Sequence, residues 1–328
     1  MKSKLKIALV GCGRAAELIY LPALKKYPGV KVPAVVDPVE ERRKYISNKF
    51  KNCMEYNSLT NDFIEHIDAA VIATPPNEHI STASELLRNN KYILVEKPLA
   101  LSMNGINDLI EIELSSKASL MMAFNHRYWE PILGLKDMLS KGTEIDSAEI
   151  IFTGDYSKWN PISFKSDPLD DLGPHLFDLI RFIFNKEIIA ISAVSKDKNT
   201  FQVKVRIYGN IIINCHLSHL DKTIKSIKVK TNNKKYFISL SSVRLSPESG
   251  SMRNFLDFSD MIKRKMMRKT SPIKRTYEIQ LKKFIDLIGL NNRANPGIKD
   301  GIAAIYAVEL ARTSIRQNGK EILFNEIR

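Results

Sequence analysis

Short apolar runs alternate with amphipathic stretches through the first third of the chain. The runs are 5–10, 32–36, 69–73, 92–95 and 119–123, and their near-continuous apolarity predicts strands covered on both faces. Helical periodicity separates them. One such segment gathers Ile106, Leu109, Ile110 and Ile112 on an apolar side, with Ser102 as the expected N-cap. Strands that alternate with helices in this way predict a parallel, doubly wound sheet.

After about Phe124 the pattern changes. Phe201, Val203, Val205 and Ile207 alternate with Gln202, Lys204, Arg206 and Tyr208, which is a strand with one wet face. Gly209-Asn210 then predicts a hairpin turn into 211–217. Two further strands are expected at 226–231 and 236–240 around Asn232-Asn233, and closing helices near 277–290 and 299–317. The expected architecture is an α/β domain over 1–123, followed over 124–328 by an α+β domain with a largely antiparallel open sheet. No repeat or low-complexity linker interrupts it.

Composition narrows the class. A chain of 328 residues has room for two cores, and 44% apolar with 26% charged residues is ordinary for a globular protein. No run approaches the roughly 20 apolar residues of a bilayer span, and Lys2, Lys4 and Lys6 lead straight into the first strand, so a cytoplasmic protein is expected. Cys12, Cys53 and Cys215 are widely spaced and form no CxxC pair, so they read as reduced bystanders. His66, His216 and His219 are assigned to surface or structure. The last two lie three apart on a strand, which puts them on opposite faces and argues against a shared metal; no metal site is expected. A net charge of +14 suits an anionic cofactor, an anionic substrate, an acidic membrane or nucleic acid without choosing among them.

Chemistry enters at the first strand. It ends in Gly11, Gly13 and Ala16, the spacing GxGxxA. Gly11 suits a tight turn, Gly13 lets the backbone approach a pyrophosphate, and Ala16 keeps the following helix close to the strand. The second strand ends at Asp37, a little beyond the usual offset of about 20 residues, where a carboxylate accepts both ribose hydroxyls and repels a 2′-phosphate. NAD is the expected cofactor. Arg42 and Arg43 follow closely and keep NADP possible.

Three further islands follow in order. Thr74-Pro75-Pro76-Asn77-Glu78-His79 comes after the third run, Glu96-Lys97-Pro98 after the fourth, and Asp171-Leu172-Gly173-Pro174-His175-Leu176-Phe177-Asp178 opens the second domain. With the glycine turn and Asn125-His126-Arg127, they resemble the Gfo/Idh/MocA family of NAD(P)-dependent oxidoreductases over residues 5–178. Beyond that the likeness rests on domain type and on Tyr277, Gln280 and Phe284. The resemblance implies an N-terminal Rossmann domain and hydride transfer on a secondary hydroxyl or keto group of a sugar, cyclitol or nucleotide-linked sugar. It implies a cofactor set of Gly11, Gly13, Arg14, Ala16, Asp37, Thr74, Pro75, His79, Glu96 and Asn125. Lys97 and His175 would bracket the reacting hydroxyl, with Asp171 as proton relay or orienting carboxylate and Arg127 as a further substrate contact. Asp171 and His175 lie four apart and share a face if helical. Which of Lys97 and His175 is the base stays open, and taken singly Asp171 also reads as the cap of a helix beginning near Pro174.

The chain departs from the family in two places. Lys165-Ser166-Asp167-Pro168-Leu169-Asp170 stands where a glycine-rich stretch is usual, and Tyr20 stands before Leu21-Pro22 where a histidine is common. The competing class is a catalytically silent dinucleotide-binding sensor or scaffold. Residues 261–275, seven of fifteen basic, add a candidate surface for membrane or for substrate phosphates, against the plainer reading of a solvated helix face. Nucleic acid is excluded because no recognition module accompanies the charge. The resemblance also implies a homo-oligomer, dimer or tetramer, formed through the open sheet face.

Overall fold

The computed structural model describes residues 4–141, 144–154, 167–219, 224–232, 234–239, 246–247, 272–290 and 292–324. Two compact units divide the chain. The first comprises Met1–Phe124 with Tyr277–Ile302, and the second Asn125–Thr276 with Ala303–Arg328.

The first unit is built on strands β1 (Leu5–Val10), β2 (Val30–Lys31), β3 (Ala34–Val36), β4 (Met54–Tyr56), β5 (Ala69–Ile72), β6 (Tyr92–Val95) and β7 (Leu120–Met122). They are parallel and lie in the order β4-β3-β1-β5-β6-β7, with β2 beside β1. This order reverses direction at β1/β5, and sheets of this kind hold ligands beyond the carboxyl ends of the strands at that point. Helices α1 (Leu21–Leu24), α2 (Glu40–Ser47), α3 (Asn61–Glu65), α4 (His79–Arg88) and α5 (Ile106–Ser115) connect the strands. Ile7, Leu9, Val35, Val71, Ile72, Leu94 and Leu120 are fully buried, as strands covered on both faces require.

Two expectations are corrected here. Ser102 does not cap α5; the N-cap is Gly105 in the left-handed region at φ 74°, and only Ile106 and Leu109 of the predicted apolar side are buried, with Ile110 and Ile112 half-exposed. Residues 277–302, expected in the second domain, return to the first. The Tyr27 hydroxyl donates to the Glu278 carbonyl at 2.8 Å, the Met122 amide donates to the Pro296 carbonyl at 3.0 Å, and Arg293 donates to the carbonyls of Glu113 and Ala118.

The second unit carries β8 (Ile145–Thr153), β9 (Ile188–Asp197), β10 (Thr200–Ile207), β11 (Ile211–Ser218), β12 (Ile224–Thr231), β13 (Lys235–Ser239), β14 (Ser246–Pro247) and β15 (Ile322–Leu323), in the order β14-β13-β12-β8-β11-β10-β9-β15. All pairings are antiparallel except β8 with β11. β10 alternates buried and exposed positions as its period predicts. Gly209 and Asn210, at φ 89° and 60°, make the turn into β11. Helices α6 (Glu130–Ser140), α7 (Pro168–Phe184), α8 (Pro272–Leu287) and α9 (Ile298–Arg316) complete the list, the last two contributing to both units. Leu172, Leu176, Phe177 and Ile180 of α7 join Val203, Val205, Ile213 and Leu217 of the sheet in one core. No helix among the described residues is long and apolar enough to cross a membrane.

Candidate active site

In the first unit the glycine turn is fixed from within the sheet. The Gly11 amide donates to the Val36 carbonyl at 2.7 Å. Gly11 has φ +91°, and a Cβ there would lie 2.6 Å from backbone atoms of Ala73, so only glycine fits. Gly13 differs: a Cβ on it would meet nothing within 4 Å. Its spacing is therefore not demanded by the protein's own packing. Ala16 is fully buried and Arg14 exposed. The Gly13 carbonyl accepts from the Glu17 amide at 3.0 Å, opening a helical stretch that is π-wound over Ala16–Tyr20 before α1.

Asp37 follows β3 and is almost fully buried. Its Oδ2 accepts from the Cys12 amide at 2.8 Å and its Oδ1 from the Val39 amide at 2.9 Å. Each carboxylate oxygen has a second acceptor position, so two ribose hydroxyls can still donate to it. Burial, followed by the Asp37 carboxylate, pushes the Cys12 thiol up to about 12, which fits an unreactive cysteine. Arg43 reaches the Asp37 backbone carbonyl at 2.6 Å through Nη1.

The loops after β5 and β6 are tied together by one ring. His79 is buried, its Nδ1 lies 2.7 Å from the Pro98 carbonyl and its Nε2 2.9 Å from the Thr74 carbonyl. Burial holds its pKa below the usual histidine value, the two carbonyls acting in the opposite direction. Pro75 stands exposed beside Thr74, whose buried Oγ1 has no hydrogen-bond partner. Glu96 accepts from the fully buried Tyr20 hydroxyl at 2.7 Å through Oε1 and from the Lys97 amide at 3.1 Å through Oε2. Burial and the neighbouring Glu96 hold Tyr20 well above the ordinary phenol pKa, so it serves as a neutral donor. The half-buried Lys97 thus starts from a turn braced by Tyr20 and Glu96.

In the second unit α7 carries the proposed chemistry. Its N-cap is Asp167, which accepts from the amides of Leu169 and Asp170 at 2.9 and 3.0 Å and is held by Arg312 at 2.8 Å. Asp171 is therefore inside the helix and is not its cap; Pro174 is interior as well. Asp171 and His175 stand one turn apart on it. His219 Nε2 lies 3.7 Å from Asp171 Oδ2, with both side chains largely buried. His219, assigned from the sequence to surface or structure, is thus a neighbour of Asp171. His126 belongs to the Asn125-His126-Arg127 segment, and its buried ring sits 4.2 Å from that of His175, centroid to centroid.

Arg127 and Asn125 each have partners within the second unit. The Arg127 guanidinium grips Asp178 through Nε at 3.1 and 3.0 Å and Nη2 at 2.5 Å, with Phe182 5.0 Å from its carbon. At 6% and 1% side-chain exposure this pair lies in the interior of the second unit. Asn125, fully buried, donates to Thr276 Oγ1 at 2.8 Å, while its Oδ1 has no partner. Asp178 was legible as the last position of DxGxHxxD. Nothing in the spacing marked it as the counter-ion of a residue 51 positions earlier.

The residues present fit a dinucleotide. Open space over Gly13, residual acceptor capacity on Asp37 and the orphaned Thr74 Oγ1 are what an adenosine ribose and pyrophosphate would use. No group of three or more His, Cys, Asp or Glu that could hold a metal occurs among the described residues.

Sheet order and glycine turn define the first unit as a dinucleotide-binding Rossmann domain. Residues 5–124 match the family model of the Gfo/Idh/MocA oxidoreductases, described as "Oxidoreductase family, NAD-binding Rossmann fold". Inositol 2-dehydrogenase of Rhizobium meliloti (strain 1021) is 24% identical over 196 residues, 58% of either chain. The chain spans about three fifths of the length of the first curated relatives it matches. Among solved structures, apo scyllo-inositol dehydrogenase from Lactobacillus casei has a TM-score of 0.80 at 15% identity, covering 98% of this chain and 99% of that one. The WlbA dehydrogenase from Bordetella pertussis, in complex with NADH and UDP-GlcNAcA, has a TM-score of 0.82 at 13% identity, covering 99% of each chain. These are likenesses of fold.

Proposed function

We propose that this protein is an NAD-dependent dehydrogenase that transfers hydride between the nicotinamide and a secondary hydroxyl or keto group of a sugar, cyclitol or nucleotide-linked sugar. The observation that carries the reading is the buried His175 one helical turn from Asp171, in a chain whose first unit has an NAD-type glycine turn pinned to Asp37. A silent sensor has no need of this proton-handling set.

Bound NAD supplies the hydride acceptor. The protein's own residues manage the proton: alcohol oxidation releases one from the hydroxyl, and ketone reduction consumes one. We assign it to His175, because a neutral imidazole has a lone pair to accept it and an ammonium has none. Lys97 then polarises the substrate oxygen, and Asp171 orients His175 and stabilises its imidazolium. Asp37 supports NAD over NADP by excluding a 2′-phosphate. Asn125, Arg14 and Pro75 stay in the proposed cofactor set. Copies of the chain associate, in this reading, through the eight-stranded sheet, where Val194, Ile212 and Ile224 are exposed. Of the basic segment 261–275, residues 261–271 lie outside those described.

The test is NAD reduction, followed by absorbance, with inositols, free sugars and nucleotide sugars. Turnover with a member of these classes is expected. Absence of reduction with every class, by protein shown to bind NAD, would contradict the proposal.

A further inference from the structure

Lys225 is the third residue in a row that leads to His175. It lies on β12, on the same side as the core residues Ile227 and Val229, so its stem runs inward from the sheet. Its Nζ is 3.0 Å from Nε2 of His126 and 5.6 Å from the ring centre of the buried Phe152. The same Phe152 meets the His126 ring edge to face at 5.8 Å. His126 in turn packs on His175 at 4.2 Å, the two rings tilted by 52°.

We infer that Lys225 and His126 are positioning residues for His175, a reading that rests on His175 as the proton-transfer group. An ammonium has three donors and no acceptor, so contact with Nε2 makes that nitrogen the acceptor and leaves the proton of a neutral His126 on Nδ1. One tautomer and one ring orientation follow, with Phe152 bracing the edge. His126 is thereby a fixed wall against which the His175 ring is set, and the wall is anchored 99 residues away on a different element. Neither residue has to touch substrate for this role.

Histidine tautomers in the full-length protein can be read by long-range proton–nitrogen correlation spectra of the six histidines, assigned by single substitution. Wild type should show His126 protonated at Nδ1, with Nε2 an acceptor. Lys225→Met, which keeps the apolar stem and removes the donor, should release that tautomer and move the His175 signals. It should also lower kcat about tenfold, the scale of a mispositioned catalytic group, with KM for NAD unchanged. Lys225→Arg should restore both readouts, whereas a purely structural role would not be rescued by charge at constant fold. His126 protonated at Nε2 in wild type, or a Lys225→Met protein with unaltered His126 tautomer or unaltered kcat, overturns the inference. The spectra need no turnover, so they fail or succeed separately from the dehydrogenase reading, which falls instead if His175 variants keep full activity.

Discussion

Asp37 Oδ2 accepts a hydrogen bond from the backbone amide of Cys12 at 2.8 Å, across 25 residues of chain. The carboxylate that would select the ribose therefore also holds the turn that would receive the pyrophosphate, and the two functions cannot be separated by mutation. Asp37→Ala should weaken NAD binding by roughly 10–100-fold, because a hydrogen bond to a charged group is lost along with the ribose contact. Fluorescence titration with NADH and NADPH should show the preference narrowing. NADPH binding more tightly than NADH in wild type would refute the role given to Asp37 and point to Arg43.

The two glycines of the turn should separate folding from binding. Gly11→Ala places a Cβ 2.6 Å from the Ala73 backbone at φ +91° and should destabilise by several kcal/mol, on the order of 2–4. Gly13→Ala meets no atom within 4 Å, so its thermal unfolding should match wild type. NADH affinity should nevertheless fall tenfold or more, on the order of 1.4 kcal/mol, because the new methyl occupies the approach of the pyrophosphate. Equal affinity in Gly13→Ala and wild type would remove the dinucleotide from this turn.

His79 makes stability depend on mild acid. Its folded pKa is depressed by burial, so its contribution is complete above the unfolded value of about 6.5 and is lost as pH falls through the lower folded value. Urea unfolding at pH 8 and pH 5 should show wild type weakening toward pH 5, with His79→Gln showing a flatter profile from a lower starting stability. Identical pH slopes in the two proteins would mean that the ring does not titrate between these states.

Arg127 and Asp178 form a buried pair whose separate members are needed more than the pair itself. Arg127→Ala should cost about 3–5 kcal/mol by stranding the Asp178 carboxylate. Arg127→Met combined with Asp178→Leu should recover most of that loss in thermal unfolding. KM for substrate in the double variant close to wild type would make the pair purely structural; a large rise would support the substrate contact expected of Arg127.

Much of the fold is legible in the sequence. β1 and β6 begin and end where their apolar runs do, because each is buried on both faces and bounded by turn residues. β4 leaves no such mark: Met54-Glu55-Tyr56 is an edge strand of mixed polarity, largely exposed, and presents no apolar run. Serine is a common cap, so Ser102 suggests the start of α5, whereas the left-handed Gly105 takes that place without a side-chain bond. Local spacing placed Asp171 and His175 together, since four residues make one helical turn. It could not reveal the partners of His219, Lys225 or Asp178, which come from other elements through pairing and core packing. The return of 277–302 to the first unit is equally nonlocal, resting on backbone bonds such as Met122 to Pro296.

In the proposed reaction His175 moves a proton during hydride transfer on a bound alcohol or ketone. Its most direct test compares kcat and NADH affinity in wild type, Lys97→Ala and His175→Ala, on a substrate verified by NAD reduction. Loss of a positioned proton-transfer group should lower kcat by roughly 10²-fold or more in each variant. NADH affinity should be unchanged in His175→Ala and at most modestly reduced in Lys97→Ala. Near wild-type kcat in both variants would contradict the account and leave Asp171, His175 and Lys97 as structural residues.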